Sequence, residues 1–159
     1  MAMVFITPPA GNPFPGAVAG VYGPFADASA VVTEIGGKSQ FSIGYDVNGA
    51  IWYANGIGQV VRISMPPING PNDLPTPVSN EDFTSGLFCS DGNAIRWTWA
   101  STQWVRITTE DVATTSSTPS AVSGEVFSDG DSWWPALRCQ ALTTGVVYQW
   151  DGAAWNATP

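Results

Sequence analysis

Ser85-Gly-Leu-Phe-Cys-Ser-Asp-Gly92 and Ser123-Gly-Glu-Val-Phe-Ser-Asp-Gly130 obey one rule, Ser-Gly-x-x-x-Ser-Asp-Gly. Each is followed downstream by two tryptophans separated by a four-residue turn, Trp99-Ala-Ser-Thr-Gln-Trp104 and Trp150-Asp-Gly-Ala-Ala-Trp155. A degenerate third copy lies upstream, where Tyr45-Asp-Val-Asn-Gly49 precedes Gln59-Val-Val-Arg-Ile-Ser64, the counterpart of Gln103-Trp-Val-Arg-Ile-Thr108. Repetition at this scale means one supersecondary unit used several times. The unit reads as a strand, a turn and a Trp-flanked hairpin, so the chain is expected to be all-β. Matching the two Ser-Asp-Gly segments residue by residue places Cys89 where Phe127 stands, and predicts that Gly86 superposes on Gly124 and Asp91 on Asp129.

Composition agrees. The 159 residues include 17 Gly and 13 Pro but only 11% charged residues, a balance that favours short strands and turns over helices. The expected architecture is short antiparallel hairpin repeats forming a compact sandwich or barrel-like domain with an extended N-terminal arm, and no helix longer than about three turns. The net charge is −8, with Lys38, Arg62, Arg96, Arg106 and Arg138 as the cations, so nucleic acid and anionic membranes are poor partners. No window approaches the ~20 apolar residues that cross a bilayer. The start has no cationic region before its apolar run and is cut by Pro8 and Pro9, so no signal peptide is expected and synthesis is placed in a cytoplasm. Cys89 and Cys139 then read as reduced core thiols, and Asn156-Ala-Thr158 carries no glycosylation meaning without secretion.

Punctuation divides the chain. Residues 1–26 are an extended Pro/Gly-rich arm, either a strap over a neighbouring subunit or a segment packed on its own domain. Residues 27–64 are a first, degenerate β unit, with Val31 to Ser64 read as strands; 65–82 are a Pro-rich linker; 83–108 a second β unit; 109–123 a Thr/Ser-rich connector; and 124–159 a third β unit. The third carries an extra segment, Trp133 to Gly145, ahead of its hairpin. Hairpins are expected at 50–63, 94–108 and 146–157. In the second, Ile95, Trp97 and Trp99 alternate with Arg96 and Thr98, the period of a half-buried strand. A turn over Ala100 to Gln103 sets Trp99 opposite Trp104 and Trp97 opposite Arg106, with a guanidinium on an indole face. Asp-Gly at 91–92, 129–130 and 151–152 fits turn positions of positive φ.

The chain has no histidine, which removes the usual general base, the usual partner of a Ser or Cys nucleophile and the commonest metal ligand. Glu81-Asp82, Glu110-Asp111 and Asp129-Gly-Asp131 could supply an acid and base pair for glycoside hydrolysis, but all lie in turns or connectors, where a solvated capping role is the simpler one. Two oxygens from Asp129 and Asp131 fall short of a calcium site. No catalytic residue, metal or cofactor is therefore expected. The eight tryptophans remain. Exposed indoles stack on sugar rings, and Trp104, Trp155 and the adjacent Trp133 and Trp134 are the candidate glycan contacts. The competing role is core filling, each aromatic burying ~150–250 Å², and this is the reading for Trp97 and Trp99.

Gly-x-x-x-Ser-Asp-Gly followed by an aromatic-x-Trp-turn-Trp hairpin, here GLFCSDG with WTWASTQW and GEVFSDG with YQWDGAAW, resembles units common in tailed-bacteriophage fibre and virion appendage proteins. The resemblance covers residues 86–158. It implies a non-enzymatic structural protein of the virion, made in the host bacterial cytoplasm, that either decorates the capsid or recognises host surface glycans. It also implies a homo-oligomer, with a trimer favoured. The absence of heptads, collagen-like runs and a shaft favours a capsid decoration, cement or head-fibre protein over a whole tail fibre. Its partners would be the major capsid protein or appendage subunits, engaged through Phe5, Phe14, Tyr22 and Phe25 of the arm. The alternative is a glycan- or receptor-binding module for host recognition at a tail fibre or tail tip.

Overall fold

A computed structural model describes residues 4–5, 19–130 and 134–159. Its strands form three open sheets. In the first, β1 (Val4–Phe5) runs antiparallel to β2 (Gly20–Phe25), and β2 lies parallel to β3 (Ile43–Asp46). Then β3, β4 (Ile51–Ala54) and β5 (Val60–Ser64) make an antiparallel meander, and β6 (Glu81–Phe83) closes the row parallel to β5. The second sheet repeats the scheme with β7 (Phe88–Ser90), β8 (Arg96–Trp99) and β9 (Trp104–Arg106) as the meander and β10 (Glu125–Phe127) parallel to β9. The third is the meander β11 (Arg138–Gln140), β12 (Val147–Trp150) and β13 (Trp155–Ala157). All three expected hairpins are formed, and the molecule is mostly β-sheet; none of the sheets closes into a barrel.

The chain separates into two compact units, residues 1–66 with 76–87 and residues 67–75 with 88–159. The stretch 65–82 is thus shared. Ile68 makes a parallel bridge to Asp91 in the second unit, and β6 pairs with β5 in the first. The next connector does the same within the second unit, where Val112 bridges Ala141 beside the third sheet before β10 returns to the second.

Among the described residues one α-helix interrupts the strands, α1 (Ala28–Ile35), where the sequence predicts strand at Val31-Val32. Asp27 caps it by accepting the Ala30 N–H at 2.9 Å, satisfying an orphan donor of the first turn. Val31, Val32 and Ile35 form its buried face and pack with Phe25, Trp52 and Val60. That tertiary face outweighs the β preference of two adjacent valines. The helix lies close on β3 because Gly44 is there: a Cβ would come within 2.8 Å of Val31.

The repeat is real but its register differs from the Ser-Asp-Gly match. Asp91 closes the turn after β7, an antiparallel strand, whereas Asp129 follows β10, a parallel one. The counterpart of Ser123-Gly-Glu-Val-Phe-Ser-Asp-Gly130 is instead Ser79-Asn-Glu-Asp-Phe-Thr-Ser-Gly86, 44 residues earlier. Asn80 and Gly124 share positive φ (63° and 93°), as do Gly86 and Gly130 (79° and 93°). By the same pairing Cys89, opposite Trp97, corresponds to Cys139, opposite Tyr148, and not to Phe127. The expected extra segment 133–145 therefore contains the first strand of the third meander. Ser-Asp-Gly suits many turns, and the chain uses it in two different ones.

Candidate functional site

The polar chemistry of the chain gathers in two buried clasps of the same design. In the first sheet Trp52 and Arg62 face each other on β4 and β5, and Glu81 arrives on β6. Glu81 Oε1 accepts the indole N–H of Trp52 at 2.6 Å and the Arg62 Nε–H at 2.8 Å, and Oε2 accepts the Val78 N–H at 2.9 Å. The guanidinium sits 4.7 Å from the Trp52 ring centre and 4.8 Å from that of Phe83. All three polar residues are buried.

The second sheet rebuilds this with other residues. Trp97 stands opposite Arg106, as the alternation required; the Trp97 indole N–H donates to Glu125, and Val122 N–H donates to Glu125 Oε1 at 3.2 Å. Arg106 lies 3.9 Å from Glu125 and between the rings of Trp97 and Phe127, at 5.7 and 5.6 Å. Burial pulls the Arg106 guanidinium below its ordinary value, against the opposing attraction of Glu125. In both clasps the carboxylate oxygens are occupied by donors of the fold. Such a group holds a strand in place.

A second contact recurs around the hairpin tips. Trp104 donates its indole N–H to the Pro75 carbonyl and Trp155 to the Pro119 carbonyl, both at 2.8 Å. Each connector thus pins the hairpin it precedes.

These contacts decide where the expected site residues fall. Glu81 is no solvated turn cap but the centre of a clasp. Trp104, expected as a glycan contact, is 1% exposed, so its face is closed to a sugar. Trp155 and Trp134 are half-buried: Trp155 packs on Phe127 at 5.7 Å, and Trp134 meets Phe88 edge-on at 5.4 Å. Trp150 and Trp155 are inclined at 64° to each other, not coplanar as a sugar platform needs. Trp133 and Phe14 lie outside the described residues, as does Asp131. Of the arm contacts, Phe5 is on β1, while Phe25 is in the core of its own unit and Tyr22 packs against it. Residues 20–25 are therefore a sheet strand, and the apolar residues there are spent at home. Among the described residues no three His, Cys, Asp or Glu come together to hold a metal ion, and no helix is long and apolar enough to cross a membrane.

Cys89 and Cys139 are unpaired and buried. Burial first, and then Asp91, push the Cys89 thiol up to about 12; burial and Asp111 raise Cys139. Both are poor nucleophiles.

Glu81 and Glu125 are the residues that reading the sequence missed as a pair. The signal was present: Arg62 and Arg106 stand 44 residues apart, and so do the two Ser-x-Glu-x-Phe segments. Compared with known protein families, with curated proteins and with solved structures, the chain matches none.

Proposed function

We propose that the chain is a non-enzymatic structural protein of a tailed-phage particle, a capsid decoration, cement or head-fibre protein that binds neighbouring virion subunits through its N-terminal segment as a trimer. The observation that carries the reading is the clasp. Trp, Arg and Glu, residue types suited to catalysis or recognition, are drawn inward and engage one another in both clasps, as befits a rigid building block. Immunogold labelling of gradient-purified particles tests it. Label on the particles is the expected result; a protein that stays in the soluble fraction of the lysate while particles remain unlabelled overturns the reading.

A glycan-binding role is the second reading, and one observation favours it. Tyr148, Trp150 and Trp155 are half-buried where their counterparts Trp97, Trp99 and Trp104 are buried. Binding on a glycan array that falls when Trp155 and Trp134 are replaced by Ala would establish it.

A further inference from the structure

The outer edge of the third sheet lacks what the fold places on the equivalent edges of the other two. On β5, the Val60 N–H donates to Asn80 O, and Arg62 O accepts from Thr84 N, both at 3.0 Å. On β9, the Trp104 N–H donates to Gly124 O at 3.4 Å, and Arg106 O accepts from Ser128 N at 3.0 Å. A parallel strand of the form Glu-x-Phe thereby covers each edge. The corresponding groups on β13 belong to Trp155 and Ala157. Their N–H and C=O point away from β12, because Asp151 pairs with Ala154 and Thr158 with Val147, which sets the alternation of the ladder. Among the described residues no strand lies beyond β13. Asn156 and Ala157 are exposed, and β13 carries neither the charge nor the proline that commonly blunts a free edge.

The side chains say what kind of strand belongs there. Tyr148 takes the place of Trp97, and Ala157 the place of Arg106. The guanidinium that balances the glutamate is gone, so a carboxylate at this position would be buried with no cation beside it. An apolar residue suits a corner where alanine stands in the place of arginine. One segment of this chain has that form: Met3-Val4-Phe5 reproduces Glu125-Val126-Phe127 with methionine in place of glutamate. Its described part, β1, is joined to its own sheet through Val4 with Val21 and Phe5 with Gly20. The fourteen residues between Phe5 and Gly20 can span up to about 50 Å, enough to reach another molecule.

We infer that β13 is an acceptor edge for a second copy of this chain, whose β1 adds as a parallel strand with Val4 opposite Asn156. The contact is β-augmentation, with main-chain bonds supplying affinity and the uncharged Tyr148/Ala157 corner favouring an apolar sequence. It is head-to-tail, so it closes into a ring if the rotation permits. The inference rests on the assembly reading above, for which it names the partner surface.

Two single variants test it, Val4→Cys and Asn156→Cys. Adjacent strands bring such a pair within disulfide range, and the buried native thiols stay out of the exchange. Oxidised separately each variant should remain uncross-linked; mixed, they should form a cross-linked dimer. Ala157→Pro removes one outward N–H while leaving the β12–β13 ladder intact. It should abolish the cross-link when added to the Asn156→Cys chain, and weaken self-association of the otherwise native protein by about tenfold or more in sedimentation equilibrium, with an unchanged melting temperature. Phe5→Glu on the donor side should do the same without touching the acceptor sheet. No cross-link on mixing, or undiminished self-association in both Ala157→Pro and Phe5→Glu, overturns the inference. Particle labelling separates the two readings: if the native protein decorates particles and these variants decorate them equally, the virion role stands and this edge is not its means.

Discussion

The second and third sheets share a meander, a Cys on the first strand, a pinned Trp at the hairpin tip and a parallel bridge from the preceding connector, and they differ most at one corner. In the second, Trp97 and Arg106 hold Glu125, and β10 covers β9. In the third, Tyr148 and Ala157 stand at those places, and β13 is the last strand of its row. The covering strand and the clasp come together and go together. A buried guanidinium is tolerable only with a carboxylate beside it, and that carboxylate comes on the parallel strand. The Glu-x-Phe strand therefore acts as the lock of each full unit, and the remaining aromatics of an unlocked sheet are left half-buried.

The sharpest way to break this comparison is to remove the lock's charge. Glu125→Ala leaves the Trp97 N–H buried without its acceptor and the Arg106 guanidinium buried without its counter-ion, and should destabilise the chain by about 3–5 kcal/mol in urea denaturation. Copying the third sheet into the second, with Trp97→Tyr, Arg106→Ala and Glu125→Met together, should cost less than Glu125→Ala alone, because no charge is then stranded. If the triple variant is the less stable, the clasp is incidental and packing of β10 decides.

The two hairpin tips sharpen it next. Trp104→Phe removes the donor to Pro75 from a buried ring, and Trp155→Phe the donor to Pro119 from a half-buried one. Losing one partner of a shielded hydrogen bond costs about 1–3 kcal/mol, so Trp104→Phe, at a ring 1% exposed, should lower stability by that amount and Trp155→Phe by visibly less. Equal losses would mean that the third sheet is as well covered as the second.

How much of this was legible depended on whether a signal was local. Strand alternation and turn spacing set Trp97 against Arg106 and Trp99 against Trp104, and both pairings are present. The hairpins fell where expected for the same reason. The parallel strands were not visible, since Glu81-Asp82-Phe83 is three residues long and pairs with a partner some twenty residues earlier across a Pro-rich stretch; no periodicity survives in so short a run. Reading Glu81 as a solvated cap followed from its position beside turn residues, and only its distant partners Trp52 and Arg62 reveal it as buried. The helix was hidden by its β-branched residues, and the strand Gly20–Phe25 by the Gly and Pro it contains.

Alkaline pH probes the shared cysteine position. Cys89 titrates near 12 in the folded chain against about 8.5 when unfolded. Its raised folded value means that the protonated thiol contributes in full below pH ~8.5, and that stability then falls as pH climbs toward 12, by at most about 1.4 kcal/mol per pH unit for this group. Urea midpoints should decline between about pH 9 and 11, and Cys89→Ala, though less stable at neutral pH, should flatten that decline. An unchanged slope would place the thiol in contact with water.

The smallest effect concerns the turn between the first two strands of each meander. Asp46 accepts the N–H groups of Asn48 and Ala50, both at 2.9 Å, and Asp91 those of Asn93 and Ile95 at 2.9 and 3.0 Å. The turns match, so the residue before the last donor must carry positive φ in both. The first sheet has Gly49 there, at φ 92°, whereas the second has Ala94 at φ 62°. The third sheet, which lacks the aspartate, again uses a glycine, Gly145 at φ 71°. The positive φ of this turn thus falls on Ala94 and not on Gly92, the residue its Asp-Gly pair had suggested. A left-handed alanine is strained by about 1–2 kcal/mol, and glycine returns about 0.5–1 kcal/mol of that through its freer unfolded chain. Ala94→Gly should therefore raise stability by somewhat less than ~1 kcal/mol, read as a rise in the urea midpoint at constant slope. A lower midpoint would show that the methyl of Ala94 has packing worth more than its strain, and that the turns of the first and second sheets are alike in hydrogen bonding alone.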